Sequence, residues 1–312
     1  MSINLGNTTF GSLYLGSTKI GEAYLGSVKV YGSSQPDPYN PLGLPPYTMR
    51  LQFKPNTTPR SVGAGTLTQV SSDPNIWDWT YVNTSWRVGD GAFYDQPNLI
   101  AVLGANSTGV TDMRYLFVSS SNLASVEIFD TSSVTNLRSM FGGCRALSSV
   151  PLFDTSAATD MSAFLSLTSV TSIPSFNTAL VTNMSNFCDG TPITSFPLLN
   201  TSAVTNMTAM FEGCSSLQAI PALDTSNVVN CSNMCQNCTA ITSVPLLNTG
   251  KMTQTVYMFD GCSNVESGAL ALYTQMSTQA TVPQYHTRTF RNCGSNTTTG
   301  AAELAQIDSG WK

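Results

Sequence analysis

Residues 130–151 read DTSSVTNLRSMFGGCRALSSVP, and variants of this stretch recur about every 24 residues through the middle of the chain. A fixed period of this length is typical of a solenoid, in which each coil buries its apolar side against the coils above and below it. Such surfaces serve binding more often than catalysis. The repeating units begin at Asn106, Asp130, Asp154, Asn177, Asn200, Asp224 and Asn248.

The parts of each unit follow the same order. An opening Asp or Asn followed by Thr indicates a turn, because these side chains accept hydrogen bonds from backbone groups two residues on. A short helical turn with an inward-facing pair such as Met140-Phe141 is expected next, and then a short strand with apolar residues such as Leu147 and Val150. A proline such as Pro151 ends the strand, since proline has no N–H for a ladder. The pattern therefore predicts a mixed β/α solenoid with short strands and short helical turns.

The repeat and the composition divide the chain into five predicted parts. Residues 1–32 repeat Leu-Gly every ten residues, at Leu5, Leu15 and Leu25, which predicts short β-strands that cannot close a core by themselves. We interpret them as an N-terminal attachment segment. The other parts are a Pro-rich linker at residues 33–46, a small β-rich capping domain at 47–105, the solenoid at 106–264, and a divergent last coil with a C-terminal cap at 265–312. Apolar runs at residues 269–276 and 300–307 predict helices in this cap.

Three tryptophans, Trp77, Trp79 and Trp86, crowd the predicted capping domain. One interpretation is a sugar-binding platform built from their aromatic faces. The ends of a solenoid must be covered, however, so the favoured interpretation is a hydrophobic plug over the first coil.

The charge of the chain excludes several classes of function. Charged residues make up only 10% of it, and the formal net charge is −5 without any run of basic residues. A nucleic-acid partner needs a basic patch, so none is expected. No apolar run approaches the length of a membrane span, and residues 1–7 lack the features of a signal peptide, so we expect neither membrane insertion nor classical export.

No arrangement of residues predicts catalysis, a metal or a cofactor. His286 is the one histidine, and no nucleophile can be assigned to it. Cys231, Cys235 and Cys238 have metal-like spacing, but they fall at three different places of the repeat and lack a fourth ligand. Calcium on the acids that open the units, Asp130 among them, is an alternative, but Asn replaces Asp in four of the seven units. The sequence therefore predicts a protein that is not an enzyme and binds no metal or cofactor.

Half of the eight cysteines stand fourteen residues after a unit start, where the other units have Ser or Thr. A place shared by these residue types favours a small side chain stacked inside the coil, and a free cysteine fills it as a small hydrophobe. We therefore predict reduced, structural cysteines. The four residues are Cys144, Cys214, Cys238 and Cys262.

The unit at residues 200–217, NTSAVTNMTAMFEGCSSL, resembles the BspA-like leucine-rich repeats of bacterial surface proteins, which also occur in Mycoplasma-type surface lipoproteins. The similarity covers residues 106–264. It implies leucine-rich-repeat-like coils displayed outside cells and used for adhesion. The N-terminal decapeptides, such as LGSTKI at residues 15–20, and the C-terminal ending at residues 293–312 look like virion proteins of gut bacteriophages and prophages.

These resemblances lead to the expected function, which is that of a non-enzymatic bacteriophage virion structural protein. It would be a fibre or receptor-binding protein on the virion surface, joined to other virion proteins through residues 1–32 and bound by its solenoid to a host-surface glycan or protein. A homo-oligomer, trimeric by analogy with phage fibres, is expected. The alternatives are a bacterial cell-surface adhesin and, more remotely, a carbohydrate-active enzyme, for which no pair of catalytic carboxylates can be assigned.

A row of small polar residues is the predicted ligand-binding surface. In each coil they lie between the two apolar residues of the strand, so stacking should set their hydroxyls side by side without charge. Uncharged hydroxyl rows offer both donors and acceptors, which suits a glycan. The alternatives are that these residues only solvate the strands, or that the tryptophan-rich head binds the ligand. The predicted residues are Ser148, Ser149, Thr171, Ser172, Thr194, Ser195, Thr242 and Ser243.

Overall fold

The computed structural model describes residues 13–15, 18–20, 22–25, 28–32, 39–57, 59, 65–70, 72–81, 85–86 and 93–312. The first decapeptide, at residues 5–10, and residues 33–38 of the predicted linker lie outside the described residues. The next decapeptides form two antiparallel hairpins. Strand β1 (Leu13–Leu15) pairs with β2 (Thr18–Ile20), and β3 (Glu22–Leu25) pairs with β4 (Val28–Gly32).

A five-stranded sheet precedes the repeating units and is continuous with the first of them. Its strands are β5 (Thr48–Phe53), β6 (Thr66–Gln69), β7 (Ile76–Thr80), β8 (Leu99–Asn106) and β9 (Ser125–Val126), in the order β6-β7-β5-β8-β9. The pairs from β6 to β8 are antiparallel, whereas β8 and β9 are parallel. Met49, Leu51 and Phe53 alternate along β5 and are fully buried, so one face of the sheet covers the core. Because β9 belongs to the first repeating unit, the last pairing joins the sheet to the repeat.

Backbone hydrogen bonds join each repeating unit to the next in register. The amides of Leu137, Ser139 and Phe141 donate to the carbonyls of Asp160, Ser162 and Phe164 over 2.9, 2.8 and 3.1 Å. Every second amide of this segment therefore points to the following unit. A single parallel bridge recurs at the same place of each unit. The bridged residues, each paired with the next, are Ser85, Asp112, Asn136, Asp160, Asn183, Asn206, Asn230, Gln254 and Tyr285.

Turns occupy the place where the sequence predicts short helical turns. Between residues 127 and 268, all of which the structure describes, there is no helix, and single bridges take the place of the predicted short strands. The amide of Met140 donates to the carbonyl of Leu137 at 3.1 Å, but Ser139 and Gly143 have positive φ angles of 51° and 75°. A left-handed residue ends a helix at once. The same positive φ angles recur in every unit, and the amides of these left-handed residues donate to the next unit.

Stacked aromatic rings fill the interior of the repeat. The rings of Phe117 and Phe141, at the same place of consecutive units, lie 5.6 Å apart and almost parallel, and those of Phe129 and Phe153 lie 5.0 Å apart. All four rings are buried. Burial of one such side chain stabilises the fold by about 1.5–3 kcal/mol. The buried residues form one continuous core from the sheet to the C-terminus.

The C-terminal segment packs against the last unit. Helix α1 spans Ala269–Thr278, α2 spans Thr298–Gln306, and a 3-10 turn spans Ser309–Trp311. Both helices lie where the apolar runs predict them. The carboxylate of Glu303 in α2 accepts hydrogen bonds from the amides of Gly268 and Leu270 at 3.3 and 3.0 Å, which satisfies the first turn of α1. In the described part of the chain, no helix is long and apolar enough to cross a membrane.

Candidate functional site

The structure exposes both residues of every predicted ligand-binding pair. Leu147 and Val150 are buried, whereas Ser148 and Ser149 between them are exposed. The other three pairs repeat this arrangement and are Thr171-Ser172, Thr194-Ser195 and Thr242-Ser243. We call these eight residues the hydroxyl strip. Gln218 and Ala219 are the exposed pair of the unit that lies between Thr194-Ser195 and Thr242-Ser243.

Backbone hydrogen bonds join two pairs of the strip to the exposed pairs of the units that follow them. The amide of Gln218 donates to the carbonyl of Thr194 at 3.1 Å, and the amide of Glu266 donates to the carbonyl of Thr242 at 2.8 Å. Within the described residues, none of the eight strip hydroxyls has a hydrogen-bond partner in the protein. The strip therefore offers hydroxyl donors and acceptors that the protein does not use. In the unit that follows Thr242-Ser243, the charged residue Glu266 holds the equivalent place.

Two other threonine columns differ from the strip, because their hydroxyls hold the units together. The Thr131 hydroxyl is buried and donates to the carbonyl of Asp154 in the next unit at 2.7 Å. The Thr135 hydroxyl is exposed and donates to the carbonyl of Thr111 in the preceding unit at 3.2 Å. Equivalent bonds recur along the chain. Ser and Thr predominate in all three columns, so composition does not distinguish the free hydroxyls from the engaged ones.

The tryptophans of the predicted capping domain are mostly interior. Trp79 and Trp86 have no exposed surface, and their rings meet edge to face with centroids 5.5 Å apart. Phe93 packs on Trp79 at 5.0 Å and on Phe117 of the first unit at 5.8 Å. The aromatic series thus runs from the sheet into the repeat. Buried faces cannot stack on a sugar, so this geometry favours the plug over the platform.

All eight cysteines are free and buried. The thiol of Cys144 donates to the carbonyl of Phe117 in the preceding unit at 3.1 Å, as the hydroxyl of Ser120 does to that of Phe93 at 2.7 Å. Burial raises the pKa of Cys144 to about 12, so its thiol stays protonated and unreactive. The prediction of structural cysteines at this place is confirmed.

The three cysteines with metal-like spacing are buried in the same core. Burial raises the pKa of Cys231 to about 12 and raises that of Cys235 well above its ordinary value. The thiol of Cys238 donates to the carbonyl of Phe211 at 3.0 Å. Across the part of the chain that the structure describes, no three His, Cys, Asp or Glu residues are grouped to hold a metal ion.

The repeat region matches the family described as "Mycoplasma protein of unknown function, DUF285" twice, over residues 91–196 and 163–271. The two matches together cover more than half of the 312 residues. The chain belongs to this family. The match confirms the part of the resemblance that concerns the Mycoplasma-type repeat, and the bacteriophage part lies outside it. No curated protein and no solved structure is significantly similar to the chain.

The acids and amides that open the DUF285 units form turns, as predicted. The carboxylate of Asp130 accepts the amide of Ser132 at 2.9 Å, and the amide oxygen of Asn200 accepts that of Ser202 at 3.1 Å. Asp and Asn thus have the same role, because the side-chain oxygen of either residue accepts a hydrogen bond from the amide two residues further on. This neutral role explains why the two residues exchange freely, and it leaves the calcium alternative without support from the geometry.

Sequence reasoning missed a pair of acids in consecutive DUF285 units. Asp189 and Glu212 occupy equivalent places, and the amide of Gly190 donates to the carbonyl of Glu212 at 2.7 Å. Burial raises the pKa of Asp189, and burial with the Asp189 charge raises the pKa of Glu212. One carboxylate oxygen of Asp189 is buried without a hydrogen-bond partner. The equivalent residues Val118, Gly142, Ser166 and Gln236 of other units are not acidic, so the column shows no continuous acidic pattern in the sequence.

The raised pKa of Asp189 predicts a stability that depends on pH. A carboxyl group whose pKa is higher in the folded than in the unfolded state binds its proton more tightly when folded, so stability falls as the pH rises through that window. Replacing Asp189 by Asn should raise the melting temperature at neutral pH by about 1–2 °C, given a partial exposure that screens the effect. Below the ordinary carboxyl range, near pH 3, the variant and the parent chain should melt alike.

The matched control is Asp260, at the equivalent place three units after Asp189. Its carboxylate is nearly buried and accepts a 2.8 Å hydrogen bond from Nε of Arg291. Asp260→Asn should therefore lower the melting temperature at neutral pH, opposite in sign to Asp189→Asn. Thermal unfolding followed by circular dichroism at both pH values measures this, and equal shifts of one sign would contradict the assignment.

Proposed function

We propose that the chain is a non-enzymatic binding protein displayed on a surface, and that its hydroxyl strip binds a glycan or protein of host cells. The observation that carries the proposal is the strip itself, in which eight exposed hydroxyls occupy equivalent places of four units and have no partner in the described protein. Free hydroxyls that the fold does not need are available to a ligand. The engaged threonines of the other columns are not.

A solenoid is the architecture that fits this role. The recurring parallel bridge and the hydrogen bonds from each unit to the next support leucine-rich-repeat-like stacking of coils. Coils in such a stack are spaced by about 4.8 Å, the distance between hydrogen-bonded strands. The strip would then run along the stack, parallel to its axis, and would suit an extended ligand.

The chemistry of the strip favours a neutral glycan over a charged partner. Its Ser and Thr hydroxyls can each donate and accept, which matches the hydroxyls of sugars. Between residues 148 and 243 the strip positions carry no charge, so no long-range field would select a charged ligand. A host protein with a polar, uncharged surface could form the same kind of hydrogen bonds with the strip.

The setting we propose is the surface of a bacteriophage virion, with residues 1–32 joined to other virion proteins. The hairpins β1–β2 and β3–β4 are each two-stranded, and an isolated pair of this kind is marginally stable in water. Such a segment gains order from partners, either virion proteins or further copies in a homotrimer. The second candidate is a bacterial cell-surface adhesin, which the Mycoplasma-type repeat favours. Immunogold labelling separates the two, because the antibody would mark phage particles in one case and intact producing cells in the other.

The binding role is tested by changing Ser148, Thr194 and Thr242 together to Lys. These positions are exposed, so the melting temperature should move by no more than about 1–2 °C. Retention on a glycan array and on whole bacterial cells should fall at least tenfold, because three bulky cations would occupy the middle and both ends of the strip.

The control variant carries the same three charges on another column of the same repeat. Thr135, Thr182 and Thr205 are exposed, and changing them to Lys should leave binding intact. Equal binding by both triple variants and the parent chain would move the site away from the strip.

A further inference from the structure

An apolar row lies on the surface of the repeat, close to the end of each unit. Leu198 is 73% exposed, Leu246 is 67% exposed and Leu152 is 57% exposed. They occupy the same place of alternate units, and the units between them have the exposed small residues Ser175 and Ala222 there. We call these five residues the leucine row. A water-exposed leucine gains nothing from the fold, so a regular series of them indicates a contact surface.

The neighbours of the row show that its members are stacked. Three residues after Leu152, the hydroxyl of Thr155 donates at 2.7 Å to the carbonyl of Asn177, which lies two residues after Ser175. Equivalent bonds follow the next three members of the row. At about 4.8 Å per unit, the leucines recur about every 10 Å, with a gap over each small residue. The row is therefore a series of apolar projections and holes of equal spacing.

We propose that the leucine row is the contact between two copies of this chain, packed side by side in antiparallel directions. The row is self-complementary, because an antiparallel second copy places each leucine over a small residue of the other. In a parallel pair, by contrast, leucine would meet leucine and Ala222 would meet Ala222. A twofold axis across the row closes the contact as a dimer.

Charge selects between the two antiparallel registers that fit leucines into holes. In the first, Leu152 faces Ala222 and Leu198 faces Ser175, and the acids two residues further on, Asp154 and Asp224, face each other. The second puts Leu198 opposite Ala222 and Leu246 opposite Ser175. There Asp224 faces the neutral Asn200, and like charges do not meet. Hydrogen bonds from Ser226 lower the pKa of Asp224, which keeps that carboxylate ionised and makes the distinction effective at neutral pH.

The second register is therefore the one we assign. Leu198 lies near the twofold axis, and Leu198 of each copy packs over Ala222 of the other copy. Leu246 also contributes twice, whereas Leu152 lies beyond the end of the contact. The patch is small, so the dimer should be weak, with a dissociation constant on the order of micromolar or above.

The test compares the full chain with Leu198→Lys and Leu180→Lys by sedimentation velocity over a range of concentrations. Leu180 is in the same unit and is 55% exposed, but it lies on a different column, so it is the matched control. The parent chain and Leu180→Lys should associate alike, and Leu198→Lys should weaken association at least tenfold. Assembly through residues 1–32 would be common to all three proteins. If Leu198→Lys associates as strongly as the parent chain and Leu180→Lys, or if the parent chain does not associate, the proposal is overturned.

A second pair of variants tests the register without touching an apolar residue. Asn200→Asp places an acid opposite Asp224 and should weaken association several-fold at low salt, with recovery at high salt. Asn248→Asp puts an acid opposite the neutral Asn177 and should leave association unchanged. Both substitutions keep a side chain that opens the same turn in other units, as Asp130 does. Weakening by Asn248→Asp but not by Asn200→Asp would exclude the assigned register.

Discussion

Replacing Phe211 by Asp should abolish the folded repeat. The ring of Phe211 has no exposed surface and packs on Phe196 with centroids 4.8 Å apart. Its amide donates to the carbonyl of Met234 in the next unit at 2.8 Å. Removing the ring alone costs about 3–5 kcal/mol, and a buried carboxylate without a partner adds to that. The sum approaches the whole stability of a typical domain, about 5–15 kcal/mol.

The loss should spread beyond one unit, because each unit is stabilised mainly by its neighbours. Far-ultraviolet circular dichroism and thermal melting should show no cooperative transition for Phe211→Asp. Phe211→Leu is the control, since Leu165 fills the equivalent buried place two units earlier. That variant should fold and melt only a few degrees lower. A native-like spectrum and melting curve for Phe211→Asp would mean that the units do not share one core.

Local rules of the sequence predicted the parts of each unit that depend on a single side chain. Asp130 and Asn200 open turns because their side chains reach an amide two residues on, which any occurrence of these residues can do. Cys144 is interior because only a small side chain fits beneath the carbonyl of Phe117. The exposure of Ser148 followed from its place between the two apolar residues of the predicted strand, although the structure forms no strand there.

The path of the backbone between these points could not be predicted in the same way. Ser139, Ala163 and Leu167 adopt positive φ angles of 51°, 52° and 54°, although none of the three favours them. The cost is offset because the amides of these residues donate to the next unit, as the amide of Ser139 does to the carbonyl of Ser162. A helical turn would bond within its own unit instead. The choice depends on a neighbour that is about 24 residues away, so no local propensity reports it.

The candidate surfaces show the same division between local and distant information. The sequence identified the hydroxyl strip but not its difference from the column of Thr135, which is set by a hydrogen bond to the preceding unit. It also gave no sign of the acid pair Asp189 and Glu212, because the contact arises only when consecutive units stack. The leucine row has a period of two units, which is hidden when each unit is aligned on the next.

Replacing Gly268 by Ala should strongly destabilise the C-terminal segment. Gly268 has a φ of 93°, and a Cβ there would lie 2.1 Å from the carbonyl oxygen of Val244. Neither atom can move alone, because the amide of Val244 donates to the carbonyl of Ser267 at 2.9 Å and the amide of Gly268 donates to Glu303. The left-handed backbone and the collision together should cost about 3 kcal/mol.

Gly109→Ala separates the collision from the backbone cost. Its φ is 80°, but the nearest atom to an added Cβ is the Tyr47 hydroxyl at an ordinary 3.8 Å. We therefore expect a loss of about 1 kcal/mol for Gly109→Ala, the cost of a left-handed residue alone. Chemical denaturation gives both free energies, and amide exchange should show faster exchange in α1 only for Gly268→Ala, since that helix begins at the next residue. Equal losses in the two variants would mean that α1 is not held against the repeat at Val244, and that the end of the stack is closed by other contacts.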